Sequence, residues 1–208
     1  MAAAVAGGAA YLGFVFYPPS PRAVTPQRAA QLCSPVPAGI ARVGLFVDAE
    51  DDLIAAALAA APIDILQFHG SESPQRVAEA RARFGRKVMK AVGVSGPGDI
   101  RAAARYEEVA DLLLFDAKPP RRPGALPGGN GLAFDWALIA DYTWRRPWML
   151  SGGLTADLLP EAVRVSRTTC VDVSSGVESG PGQKDPDKIL AFLAAARFAV
   201  VAPKRRSQ

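Results

Sequence analysis

The chain has 208 residues, half of them apolar and 21% charged, with a formal net charge of +4. That length and balance fit one soluble globular domain with a sizeable core, and they exclude a largely disordered chain. Tight basic clusters are few, Arg121-Arg122, Arg145-Arg146 and Lys204-Arg205-Arg206 among them, the last in the expected tail, so no nucleic-acid partner is expected.

The modest positive charge suits a small anionic ligand instead. Cys33 and Cys170 lie far apart in the chain and show no metal or redox spacing. They are expected to be free thiols of the reducing cytoplasm, with no metal site. Residues Met1 to Pro18 carry no charge. No Lys or Arg precedes the apolar run, as an export signal requires. Gly7-Gly8 splits the run and Pro18-Pro19 ends it, so no membrane span is expected either.

An Ala-rich helix end stopped by Gly7-Gly8 opens the chain, followed by a strand at Tyr11 to Phe16. Thr25 caps a helix to Leu32 with Pro26 at its first position. A strand at Ala41 to Val47 leads to an Ala-rich helix from Asp51 to Ala60. Ile63 to Phe68 is a strand, and Ser73-Pro74 starts a helix to about Phe84. The strand Lys87 to Val92 precedes a helix from Gly98 to Tyr106. A strand at Asp111 to Phe115 is followed by a long Pro/Gly loop, Lys118 to Gly131. Asp135 to Tyr142 is helical, Trp148 to Leu150 a strand and Ala156 to Val165 a helix. Cys170 to Val173 forms the last strand and Asp185 to Phe198 the last helix.

These strands are apolar on both faces, the mark of a parallel sheet covered by helices. The regular strand–helix beat implies right-handed βαβ units and an α/β fold. Seven strands are counted, and the chain opens inside a helix. The expectation is a single domain over residues 1–208, a (β/α)8 TIM-type barrel lacking its first strand, with 199–208 as a frayed tail. An open doubly wound sheet is the other topology, but no GxGxxG turn follows the first strand.

Two turns mark the site. Ser151-Gly152-Gly153 follows the strand at Trp148, and Ser174-Ser175-Gly176 follows the strand at Cys170. Such turns aim backbone N–H groups at an anion, and in a barrel the last two strands carry a phosphate site. Gly152, Gly153, Ser174, Ser175 and Gly176 are therefore expected to cradle a phosphate. The other strand ends offer Arg22, Asp48, His69, Asp116 and Asp172. This set suits a small phosphorylated molecule with one further ionised group.

The chain resembles the phosphoribosylanthranilate isomerase family. The resemblance is carried by GFVFYP with Ser20-Pro21-Arg22, by QFHG at 67–70, by LLFD ending at Asp116, by GGNG at 128–131 with Phe134-Asp135-Trp136, by LSGGL at 150–154 and by DVSSGVE at 172–178. It implies a cofactor-free Amadori rearrangement in tryptophan biosynthesis, in which a ribosylamine opens to an imine, loses a proton from C2′ and becomes an aminoketone. It further implies Asp116 as the acid that protonates the ring oxygen, and such an acid needs apolar surroundings to hold its proton. Arg22 is implied to bind the anthranilate carboxylate through its two-donor fork. Asp172 contacts the substrate hydroxyls or shapes its own loop. His69 is a substrate contact or a structural residue. A monomer or a homodimer fits equally.

The family begins with a strand reading roughly Lys-Ile-Cys-Gly, whose cysteine is the base, and this sequence shows no such segment. Neither Cys33 nor Cys170 is expected to replace it. Leu132 stands where the family often has a basic residue, and Arg121 to Pro127 reads as an insertion in the same loop.

Overall fold

The computed structural model describes residues 1–118 and 126–201. Six strands form one all-parallel sheet in chain order: β1 (Tyr11–Val15), β2 (Ala41–Phe46), β3 (Ile65–Phe68), β4 (Lys87–Val94), β5 (Leu112–Ala117) and β6 (Trp148–Leu150). The helices between and around them are α1 (Ala2–Ala6), α2 (Pro26–Cys33), α3 (Asp51–Ala60), α4 (Pro74–Phe84), α5 (Pro97–Ala103), α6 (Ala137–Ala140), α7 (Leu159–Ser166) and α8 (Pro186–Val201). A 3₁₀ turn, Ser175–Val177, leads into a small antiparallel hairpin of β7 (Glu178–Gly180) and β8 (Gln183–Lys184).

Sequential parallel pairing requires a helical crossover each time, and this curls the sheet into the (β/α)8 barrel type. Apolar side chains fill both sides of the wall. Val43, Ile65, Met89, Leu112, Leu114 and Met149 form the inner layer. Phe46, Ile54, Leu66, Phe68, Leu113 and Phe115 belong to the larger layer between sheet and helices. The alternation along β5, Leu112 and Leu114 inside against Leu113 and Phe115 outside, follows the two-residue period of a strand.

The seventh expected strand is reduced to one bridge. Val171 pairs with Leu150, with Leu150 N donating to Cys170 O at 3.0 Å and Asp172 N donating to Leu150 O at 2.8 Å. β6 is three residues long, so the ladder has little length to propagate. On the far side of the sheet, the outer edge of β1 has one partner among the described residues, the stretch after Arg22. Val24 N donates there to Val15 O at 2.9 Å.

Local chemistry sets the helix starts. Thr25 and Ser73 each accept a hydrogen bond from the N–H three residues on, at 3.1 Å, and proline takes the first helical position in both α2 and α4. α4 ends at Gly85 in the left-handed conformation, φ 60°. α6 is shorter than the expected Asp135 to Tyr142, because Asp135 turns its carboxylate onto Ala137 N and the chain leaves the helix at Asp141. Residues 199–201 continue α8, and the rest of the expected tail lies outside the described residues, as does 119–125 of the Pro/Gly loop. Among the described residues no helix is long and apolar enough to cross a membrane.

Replacing Ser73 with alanine is expected to lower stability by about 1 kcal/mol through loss of the cap. A urea titration should show an earlier midpoint with an unchanged slope.

Candidate active site

All six strands point the same way, so their C-terminal ends share one rim. A cavity of about 550 Å³ opens there and runs down the inner face beside β1. Its upper wall carries Arg22, His69, Asp116, Asp172 and both glycine/serine turns.

Asp116 sits at the end of β5, 6% exposed, above the buried run Leu112 to Phe115. Its Oδ1 accepts the Ala117 N–H at 2.8 Å, and its Oδ2 lies 3.2 Å from His69 Nε2. His69 follows β3, is held by its own N–H to Phe46 O at 2.8 Å, and has no partner for its buried Nδ1 among the described residues. The loop after β5 folds back over this pair. A Cβ on Gly128 would lie 2.7 Å from both Asp116 Oδ2 and His69 Nε2, so no larger residue fits there without moving the pair.

Gly152 and Gly153 follow β6 with φ values of 89° and 64°, a region that favours glycine. A Cβ on Gly152 would meet Ala117 N at 2.6 Å, so the turn is pressed against the strand end that carries Asp116. Ser151 N is anchored to Phe115 O at 2.7 Å. Helix α7 begins at Leu159, so its dipole end does not reach this turn. The second turn is closer to a helical start: Ser175 and Gly176 lie in the 3₁₀ turn itself, with Ser174 before it.

Asp172 lies half-buried between the two turns, on the cavity wall. Ser151 Oγ donates to its Oδ2 at 2.9 Å. Burial, assisted by the neighbouring Asp116 charge, pushes its carboxyl above the usual range despite that hydrogen bond. The structure therefore gives Asp172 a partner in the wall, Ser151, rather than a loop-shaping bond to a following N–H.

Arg22 is engaged by the protein itself. Its Nε and Nη2 donate to the two oxygens of Glu178 at 2.8 and 2.7 Å, and Nη2 also reaches Gly129 O at 3.4 Å. Nη1, on the opposite edge, makes no hydrogen bond among the described residues and faces Gly129, where a Cβ would lie 2.6 Å from it. Glu178 receives a second cation, Lys184 Nζ, at 2.7 Å, and Lys184 also holds Ser174 O at 2.8 Å. Burial opposes ionisation of Glu178, but the hydrogen bonds from Arg22 and Lys184 outweigh it and hold the carboxyl at about 2. One carboxylate thus ties the arginine of the β1 loop to the turn after the last bridge.

Lys184 is not singled out in the sequence, and Ser151 and Glu178 stand there only as members of a turn and a motif, with no role of their own. Their roles depend on contacts 156 residues apart for Arg22–Glu178 and 21 apart for Ser151–Asp172, and no local spacing signals them. Cys33 is buried at the end of α2 and does not line the cavity, whereas Cys170 packs against the inner layer and lines the cavity below the rim.

The family model described as N-(5'phosphoribosyl)anthranilate (PRA) isomerase matches residues 1–195. A relative from Rhodospirillum centenum, N-(5'-phosphoribosyl)anthranilate isomerase, is 57% identical over 196 residues, 94% of this chain and 92% of the relative. Phosphoribosyl anthranilate isomerase from Thermotoga maritima has a solved structure 38% identical to this chain, with a TM-score of 0.84, covering 94% of this chain and 92% of that one. A further solved isomerase, in complex with reduced 1-(o-carboxyphenylamino)-1-deoxyribulose 5-phosphate, is 36% identical with a TM-score of 0.81, covering 94% and 91%.

The lowered Glu178 carboxyl has a measurable consequence. A depressed pKa contributes stability that is complete above the unfolded value near 4.5 and lost as pH falls through about 2. Urea midpoints measured from pH 5 to pH 2 should fall steeply for the wild type. Glu178→Gln should be less stable at pH 5 and flatter across that window.

Proposed function

The chain belongs to the N-(5'-phosphoribosyl)anthranilate isomerase family, and from that premise we propose how its own residues divide the work of converting N-(5-phosphoribosyl)anthranilate to 1-(2-carboxyphenylamino)-1-deoxyribulose 5-phosphate. The observation that supports this division is the meeting of one arginine, one buried aspartate and two glycine/serine turns around a single cavity.

Gly152, Gly153, Ser174, Ser175 and Gly176 hold the phosphate through backbone N–H groups and serine hydroxyls, with Lys184 adding positive charge behind the second turn. Arg22 takes the anthranilate carboxylate on its Nη1 edge, because Glu178 occupies the other edge and fixes the plane. Asp116 donates a proton to the furanose ring oxygen as the C1′–O bond breaks. His69 orients Asp116 Oδ2, and Gly128 lets the β5 loop close on both. Asp172, in the wall between the two anion turns, orients the ribose hydroxyls.

The proton leaving C2′ needs a second group. The cysteine base implied by the resemblance has no counterpart at the rim among the described residues, since Cys33 and Cys170 both lie below it. The residues described here supply the acid and the grip on both anionic ends. The two free thiols fit a cytoplasmic protein, and a monomer or homodimer is equally compatible with this arrangement.

Asp116→Asn should lower kcat by roughly 10²- to 10⁴-fold, as expected for loss of a general acid. The dissociation constant of the reduced product analogue should stay within about twofold. Arg22→Met should instead raise KM by roughly 10- to 100-fold, the size of a lost charge-assisted hydrogen bond. Both are read from steady-state assays that follow disappearance of the substrate. Unchanged kcat in Asp116→Asn would remove Asp116 from the acid role. Tight analogue binding with no turnover in the wild type would replace the isomerase by a phosphosugar-binding barrel.

A further inference from the structure

Behind His69, outside the cavity, lies a buried ion pair that the reaction as described does not use. Lys90 leaves β4 on the helix-facing side and is 3% exposed. Its ammonium has three donors and three acceptors: Phe68 O at 3.2 Å, Gly70 O at 2.7 Å and Glu72 Oε2 at 2.8 Å. Glu72 is equally committed. Its Oε1 accepts the Asp48 N–H at 2.8 Å, and its Oε2 accepts the Gly70 N–H at 2.9 Å. Its backbone carbonyl takes the Tyr106 hydroxyl at 2.8 Å, and Lys90 Nζ lies 5.6 Å from the centre of that ring.

Two facts make this pair more than a stabilising contact. First, a buried ion pair is seldom worth more than two apolar side chains of the same size, because both charges lose their hydration. Second, its bonds converge on the backbone beside His69. Both polar groups of Gly70 are taken, the N–H by Glu72 and the C=O by Lys90. The other loop tied in is the one after β2, where Asp48 has a left-handed φ of 47° and its carboxylate accepts from Ser71 N and Oγ at 2.7 and 2.9 Å. His69 is thus fixed from behind by Phe46 O through its own N–H, and from ahead by the ion pair through Gly70.

We propose that Lys90 and Glu72 are positioning residues for the reaction: they lock the His69–Gly70 backbone so that the imidazole meets Asp116 Oδ2 at the rim. This rests on the reading of Asp116 as the acid. Reactive groups held within a fraction of an ångström lose much of their advantage when the supporting contacts loosen.

His69 is the sole histidine of the chain, so its ring signals in a long-range ¹H–¹⁵N NMR spectrum of tag-free protein need no assignment. Glu72→Gln keeps the shape but has one acceptor oxygen for three donors, the Asp48 and Gly70 N–H groups and the Lys90 ammonium. The double variant Lys90→Met, Glu72→Met removes both charges together. The double variant should fold, whereas Lys90→Met and Glu72→Gln alone should each melt below the wild type because each strands one buried charge. In Glu72→Gln and in the double variant the His69 ring signals should shift or split, and kcat should fall roughly tenfold with KM changed by less than about twofold. Unmoved ring signals in a folded variant would overturn the proposal, whatever happens to kcat, and so would an unchanged kcat beside shifted signals. The NMR reading needs no turnover. If the wild type failed to isomerise the substrate, the reading of the site would fall while the positioning test would still return its own answer.

Discussion

Parallel pairing is the constraint on which everything else in this molecule rests. When neighbouring strands run the same way, each must be followed by a crossover, and every strand delivers its C-terminal end to one rim. Asp116 at the end of β5, His69 after β3 and the Gly152 turn after β6 are distant in sequence and adjacent in space for that reason. The apolar layers on both sides of the wall hold the strands in register, so they also hold the side chains at its edge. Stability and chemistry are divided by height along the strands: packing below, reactive groups at the top.

At the rim the charges are arranged in opposite ways at its two ends. Glu178 lies between two cations and remains a carboxylate far into acid. Asp172 lies between two turns with no cation bonded to it, and its enclosure favours the protonated form. Burial disfavours the charged form of both carboxyls, and their neighbours distinguish them. The first organises the arginine that faces the ligand. The second is held by Ser151 in the wall between the anion turns.

Much of this was legible in the sequence where the cause is local. Thr25-Pro26 and Ser73-Pro74 start their helices where capping chemistry requires, and the two-sided apolar runs become parallel strands. Of the residues named from strand ends, Arg22, His69, Asp116 and Asp172 gather around one cavity, whereas Asp48 is outside its lining and accepts from Ser71. The losses are equally physical. The run Cys170 to Val173 has strand composition, but a three-residue neighbour offers it a single bridge. The β7–β8 hairpin is too short to show periodicity. Lys90 and Glu72 look like ordinary charged positions of a strand and a loop, and their burial comes from packing that no window of sequence contains.

The outer edge of β1 has a further consequence. In a parallel strand alternate residues turn their backbone groups to opposite neighbours. Leu12 and Phe14 are tied to β2, while the peptide groups of Tyr11 and Gly13 turn toward the cavity side, with the Val15–Val24 bond closing the top. One strand therefore serves as both interior and boundary. Strands paired on both sides are the last to open, so β2 to β5, each flanked by two neighbours, form the most persistent part of the wall. Asp116, near the end of β5, stands on that persistent part.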